Sequence, residues 1–167
     1  MSPQNDQGRE LPAGDYWYED LAPGDHFDTG TVVINGSQIT AFAELSGDFF
    51  DVHMDDEFAR EQGFPSRIAH GLLVLALVDG LKNRSPVRLM AVASLGWDWR
   101  FKAAVVPGDH IGAHLRVAAK RLSSKGQGLV TLAIRATKQD GQTVQEGETT
   151  LILRHRPAAN STDHTVN

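Results

Sequence analysis

Residues 70–83 read HGLLVLALVDGLKN. That apolar run is too long for a typical buried strand and is built on Leu rather than β-branched residues, so it predicts a helix buried on nearly all sides. From about residue 91 the pattern changes to alternation. HIGAHLRVAAKR places Ile111, Ala113, Leu115, Val117 and Ala119 on one face and mostly polar residues on the other. GLVTLAIRATK and TVQEGETTLILRHR are two further strands joined by a turn at Asp140-Gly141, and VASLGWDWRFKA is a fourth that ends before Pro107-Gly108-Asp109. FDTGTVVI supplies a fifth. A strand, short helices, one long helix and then an antiparallel meander predict an α+β domain whose curved sheet wraps a central helix.

The chain has 167 residues, 41% of them apolar, which suits one domain with a real core. Residues 1–14 and 157–167 are polar and small, without hydrophobic periodicity, and are expected to be mobile segments flanking a single domain over 15–156. No stretch reaches the roughly 18 to 20 apolar residues of a membrane span, and MSPQNDQGRELPAGD lacks the basic-then-apolar character of a secretion signal, so a cytoplasmic protein is expected, with no membrane partner. A formal charge of -5 without a basic block argues against nucleic acid. The absence of cysteine excludes disulfides, thiolate metal sites and thiol nucleophiles.

Before the long helix, SQITAFAELSG predicts a helix with Ser37 as N-cap, Ile39, Phe42 and Leu45 on one face and Gly47 as its stop. Asp48 then sits just past a helix end. DDEFAREQG predicts a second short helix closed by Gly63, with His53 in the connection between the two. Asp51, Asp55 and Asp56 read as loop and N-cap charges. Asp48 and His53 stand as an acid and an imidazole five positions apart, a combination able to divide acid and base roles near neutral pH.

Metal chemistry finds little support in the sequence. His110 and His114 have the i, i+4 spacing of a helical zinc pair, but on a strand their Cα atoms lie about 13 Å apart at 3.3 Å per residue. His53 with Asp51 and Asp55 lacks further ligands, so no metal is expected. Gly126-Gln127-Gly128 marks a hairpin and is too weak for a phosphate loop, and no Gly-x-Ser-x-Gly nucleophile motif occurs.

Residues 46–53, Ser46-Gly47-Asp48-Phe49-Phe50-Asp51-Val52-His53, followed by a short helix and then Ile68-Ala69-His70-Gly71, resemble the paired motif of the MaoC-like dehydratases and (R)-specific enoyl-CoA hydratases, which have the hot-dog fold. The resemblance runs from about residue 18 to 154. It implies reversible addition of water across a trans-2-enoyl thioester carried by coenzyme A or a carrier protein, without a cofactor, in a homodimer. It assigns Asp48 and His53 to holding and activating the water and the Gly71 backbone N–H to the thioester oxygen, with Ile68, Ala69 and His70 beside the substrate and His70 favoured as a packing residue at the helix start. Physics supports the Gly71 assignment, since a free N–H at a helix N-terminus is aligned with the helix dipole. Two positions depart from the family pattern. Phe50-Asp51 replaces Asn-Pro, leaving Phe49 and Phe50 to line or narrow the acyl pocket. Asp79 stands where the family has a small residue on the helix, and is expected to be protonated, paired with a neighbour such as an Arg, or in contact with a polar substrate. A thioesterase and a non-catalytic acyl-CoA-binding protein are the alternatives on the same fold.

Overall fold

A computed structural model of the chain describes residues 8–158. Eight strands and four helices follow one another as β1 (Gly14–Tyr16), β2 (His26–Asp28), β3 (Val32–Val33), α1 (Gly36–Ser46), α2 (Asp51–Met54), α3 (Asp56–Glu61), α4 (Gly71–Arg84), β4 (Val87–Leu89), β5 (Ala91–Phe101), β6 (His110–Leu122), β7 (Gly128–Thr137) and β8 (Thr143–Leu153). The main sheet has the order β2-β6-β7-β8-β5, antiparallel throughout, and β3 also pairs with β6. Its inner face packs on α4 through Leu115, Val117, Leu132, Ile134 and Leu151, which meet Val74 and Val78 of the helix in one apolar cluster. This is the α+β plan of a curved sheet against a long helix that the alternation and the Leu-rich run predict.

The differences from expectation have local causes. FDTGTVVI is two short strands, interrupted where the Thr29 hydroxyl, rather than a backbone carbonyl, accepts the Ala113 N–H. Ala119 is exposed although its parity matches the buried residues, because a register shift between Val117 and Ala119 rotates the end of β6 out of phase. The N-cap of α1 is Asn35, two residues ahead of Ser37. Asn35 and Gln38 exchange side-chain bonds with each other's N–H groups, satisfying two helix-end donors at once. Leu45 is 85% exposed, since six residues on from Ile39 a helix points about 120° away from it, whereas Ile39 and Ala43 are buried. Gly47 does stop α1, in the left-handed region at φ 78°.

Helix α4 is not buried on nearly all sides within this chain. Leu73, Val74, Val78, Leu81 and Lys82 are buried, while Leu72 is 60% exposed. One curved sheet covers one side of a cylinder.

Residues 1–7 and 159–167 of the two expected mobile ends lie outside the described residues. Within 8–14 the chain makes definite contacts: Leu11 is buried in the core, and Arg9 pairs with Asp25 at 2.9 Å. Strand β1 then pairs in parallel with β4. Among the described residues, no helix is long and apolar enough to cross a membrane.

A polar clasp fixes the end of β8 against the one-turn 3-10 helix Tyr18–Asp20. Glu19 accepts from His155 and from the Arg156 N–H, and the Arg156 guanidinium grips Asp20. The His155 bond, followed by that of Arg156, pulls the Glu19 carboxyl down to about 2. The same contact with Glu19, and then the Gly126 carbonyl, raises His155 above its ordinary 6.5. The signs differ. The His155 contribution is complete below its ordinary value and lost as pH rises through the raised one, while the Glu19 contribution is lost as pH falls toward its depressed value. An NMR titration is expected to place the His155 midpoint above 6.5 and to lower it toward that value in Glu19→Gln. A midpoint indifferent to that substitution would remove the clasp as its cause.

Candidate active site

Three neighbouring segments build the site. Gly47 turns the chain out of α1 so that Asp48 leads into α2, where His53 sits in a one-turn helix rather than in a plain connection. After α3 the chain returns, and the Ile68 N–H donates to the Val52 carbonyl at 3.0 Å while the Ala69 N–H donates to Val105 at 2.7 Å. These two bonds deliver His70 and Gly71 to the start of α4, with His70 as N-cap and Gly71 as the first helical residue.

The histidine tautomers follow from their partners. His53 Nδ1 lies 2.8 Å from the Ile68 carbonyl, which can only accept, so Nδ1 carries the proton and Nε2 of the neutral ring is left as a base. His70 Nε2 likewise donates to the Asp48 carbonyl at 2.9 Å. The two imidazoles stack at 3.9 Å with 29° between their planes, and the Phe42 ring also packs on His70, tilted, at 4.9 Å. His70 is 2% exposed, and its Nδ1 has no partner among the described residues.

One nitrogen from each histidine and a carboxylate oxygen of Asp48 lie within 4.8 Å of one another. That span exceeds a direct hydrogen bond, yet one water can bridge two such groups at about 2.8 Å from each. A shared metal ion fits poorly, because it must lie in both ring planes and stacked rings do not point their nitrogens at a common centre.

The groups open on a cavity of about 570 Å³, within the range for small-molecule sites. Asp48, His53, Ile68, Ala69, His70 and Gly71 all line it, between apolar walls that include Phe42, Phe64, Val74 and Val105. Phe49, Phe50 and Asp79 are not among its lining residues. Phe49 and Phe50 are largely exposed, and the Phe50 ring meets the edges of His53 and Phe58. The loop without Asn-Pro is held by the Asp48 carboxylate, which accepts the Phe50 N–H at 3.3 Å. Asp79 is paired with Lys82 at 2.6 Å, so its neighbour is a lysine and not an arginine. His110 and His114 lie on β6, where His114 bonds Asp28 at 2.9 Å.

Several site residues are absent from the sequence reading, chief among them Phe101, Lys102 and Gln145. Gln145 carried a signal: it falls on the inward parity of β8, in step with Thr149 and Leu151, where an apolar residue is the norm. Phe101 and Lys102 carried none, since the end of a strand does not reveal which helix it covers.

The MaoC like domain model matches residues 20–150, more than half of the chain. The chain belongs to the MaoC-like family. Its MaoC-like domain is 36% identical over 112 residues to Protein MaoC of Klebsiella aerogenes, a match covering 66% of this chain but only 32% of that longer protein. It is 32% identical over 117 residues to the (R)-specific enoyl-CoA hydratase of Aeromonas caviae, covering 70% of this chain and 84% of the hydratase. Among solved structures, the MaoC-like dehydratase from Rhodospirillum rubrum superposes with a TM-score of 0.77 at 28% identity, over 86% of this chain and 99% of that one. The MaoC-like chain thus has the hot-dog fold and stands among hydratase and dehydratase enzymes.

Proposed function

We propose that the protein hydrates trans-2-enoyl thioesters of coenzyme A, and dehydrates the corresponding 3-hydroxyacyl thioesters, with Asp48 and His53 as the acid/base pair. The observation that carries this reading is the His53 tautomer: its Nδ1–H is held by Ile68, so the basic Nε2 belongs to a ring that lines the cavity together with the Asp48 carboxylate. A water held between them loses a proton to His53 as its oxygen bonds to C3 of the substrate. The electron pair of the double bond moves to the thioester oxygen, where the Gly71 N–H stabilises the enolate. Collapse of the enolate takes the proton from His53 at C2, so one water supplies both the hydroxyl and the hydrogen. The relatives named as enoyl-CoA hydratases support the substrate class.

A homodimer belongs to the same proposal. Strand β5 is a sheet edge bearing exposed Val92 and Leu95, and a second copy would cover it.

A panel of short, branched, dicarboxylic and aromatic enoyl-CoA thioesters tests the reaction. Loss of the conjugated enoyl absorbance without release of free thiol is the expected result for at least one member. Thiol release instead would establish hydrolysis, and acyl-CoA binding with no turnover would leave only a binding role.

A further inference from the structure

Gly71 is held from two sides by side chains of one sheet rung. Phe101 of β5 and Gln145 of β8 are direct cross-strand partners, and both reach the start of α4. The Phe101 ring occupies the space a Cβ on Gly71 would need, with ring carbons 2.7 Å from that position. The Gln145 amide nitrogen donates to the Gly71 carbonyl at 2.8 Å.

The orientation of that amide is fixed by chemistry. The Trp99 indole N–H, which can only donate, lies 2.8 Å from the Gln145 oxygen, so the NH₂ end must face Gly71. Trp99 has room to do this because its partner on β8 is Gly147, where a Cβ would stand 2.6 Å from the indole. Gln145 is 2% exposed, yet it lines the cavity. A buried amide in an apolar wall is costly unless its bonds are made, and here one goes to the residue whose backbone lacks side-chain restraint.

The geometry points to Gln145 as a positioning residue for the reaction, with Trp99 setting its amide so that it holds the Gly71 carbonyl, anchoring the residue whose N–H, one peptide earlier, faces the thioester oxygen. The substrate need not touch Gln145 for this role, which rests on the hydration proposed above.

The test uses the full chain and the most active enoyl-CoA of the panel, with Gln145→Leu, Gln145→Glu and Trp99→Phe. In Gln145→Leu, kcat and kcat/KM are expected to fall together by about 10- to 100-fold with KM within about twofold, as misaimed transition-state stabilisation requires. In Gln145→Glu, the ionised carboxylate faces the Gly71 carbonyl without a proton to offer, whereas the neutral acid donates to Gly71 and accepts from Trp99. Its activity relative to wild type is therefore expected to rise as pH falls. Trp99→Phe is expected to give a smaller loss of kcat.

Wild-type kcat in Gln145→Leu, a defect confined to KM, or a Glu-to-wild-type ratio flat with pH would each overturn the role. If Gln145→Leu does not fold, the Glu ratio decides. The two readings fail separately: a wild-type chain that hydrates no member of the panel removes both, while loss of activity in Gly71→Pro/Phe101→Ala relative to Phe101→Ala, with unaffected Gln145 variants, removes only this one.

Discussion

His53→Ala is expected to lower hydration about 10³-fold with the fold intact, within the usual range for loss of a general base. The ring is part-buried and makes one hydrogen bond, to Ile68, so the stability cost should be about 1 kcal/mol. Asp48→Asn tests the other half of the pair. An amide oxygen can still accept the Phe50 N–H that shapes the loop, while the negative charge beside the water is lost. A fall of about 10²-fold is expected. Progress curves on the preferred enoyl-CoA, with thermal melts as the control for folding, check both variants, and turnover at the wild-type rate in either would end the assignment of the pair.

The second large effect is expected at Gly71, where two questions can be separated. Gly71→Ala drives a methyl group against the Phe101 ring, and misplacement of the helix start should cost about 10²-fold in kcat. Phe101 is 58% exposed, so the strain is taken up near the surface and folding should suffer little. Removing the obstacle in Gly71→Ala/Phe101→Ala should restore most of the activity that Phe101→Ala shows alone. Gly71→Pro/Phe101→Ala should not recover. Proline suits the first position of a helix, and His70 already has the extended backbone, φ -56° and ψ 134°, that precedes proline, so this change deletes the N–H with little disturbance. A loss of about 10²- to 10³-fold is expected for a missing oxyanion donor. Equal activity in the Ala and Pro double variants would exclude the Gly71 N–H from the reaction.

Much of this geometry was legible in the sequence because it rests on local periodicity and on short motifs. The alternation of Ile111, Ala113, Leu115 and Val117 dictated the inner face of β6, and the Leu-rich run dictated α4. The segments 46–53 and 68–71 converge as the resemblance implies. What could not be read depends on contacts between distant stretches. The parallel pairing of β1 with β4 involves three residues on each side, too few to show a period. The pairing of Asp79 with Lys82 was within reach of i, i+3 spacing, but the burial of that lysine against the Trp97 ring was not. Exposure of Leu72 reflects how far one sheet reaches around a helix, which no local pattern encodes.

The bond from His53 to the Ile68 carbonyl, together with that from Ile68 to Val52, closes residues 53–67 into a loop tied at its neck. Closure entropy grows slowly with length, by roughly 0.6 kcal/mol per doubling, so insertions or deletions around α3 should leave the neck intact. Phe64, which walls the cavity, lies on that loop, whereas Asp48, His53 and Gly71 stand at or beyond its neck. If the proposed hydration is the activity, changing this one excursion would alter which acyl chains fit, while the groups assigned to the water stay in register.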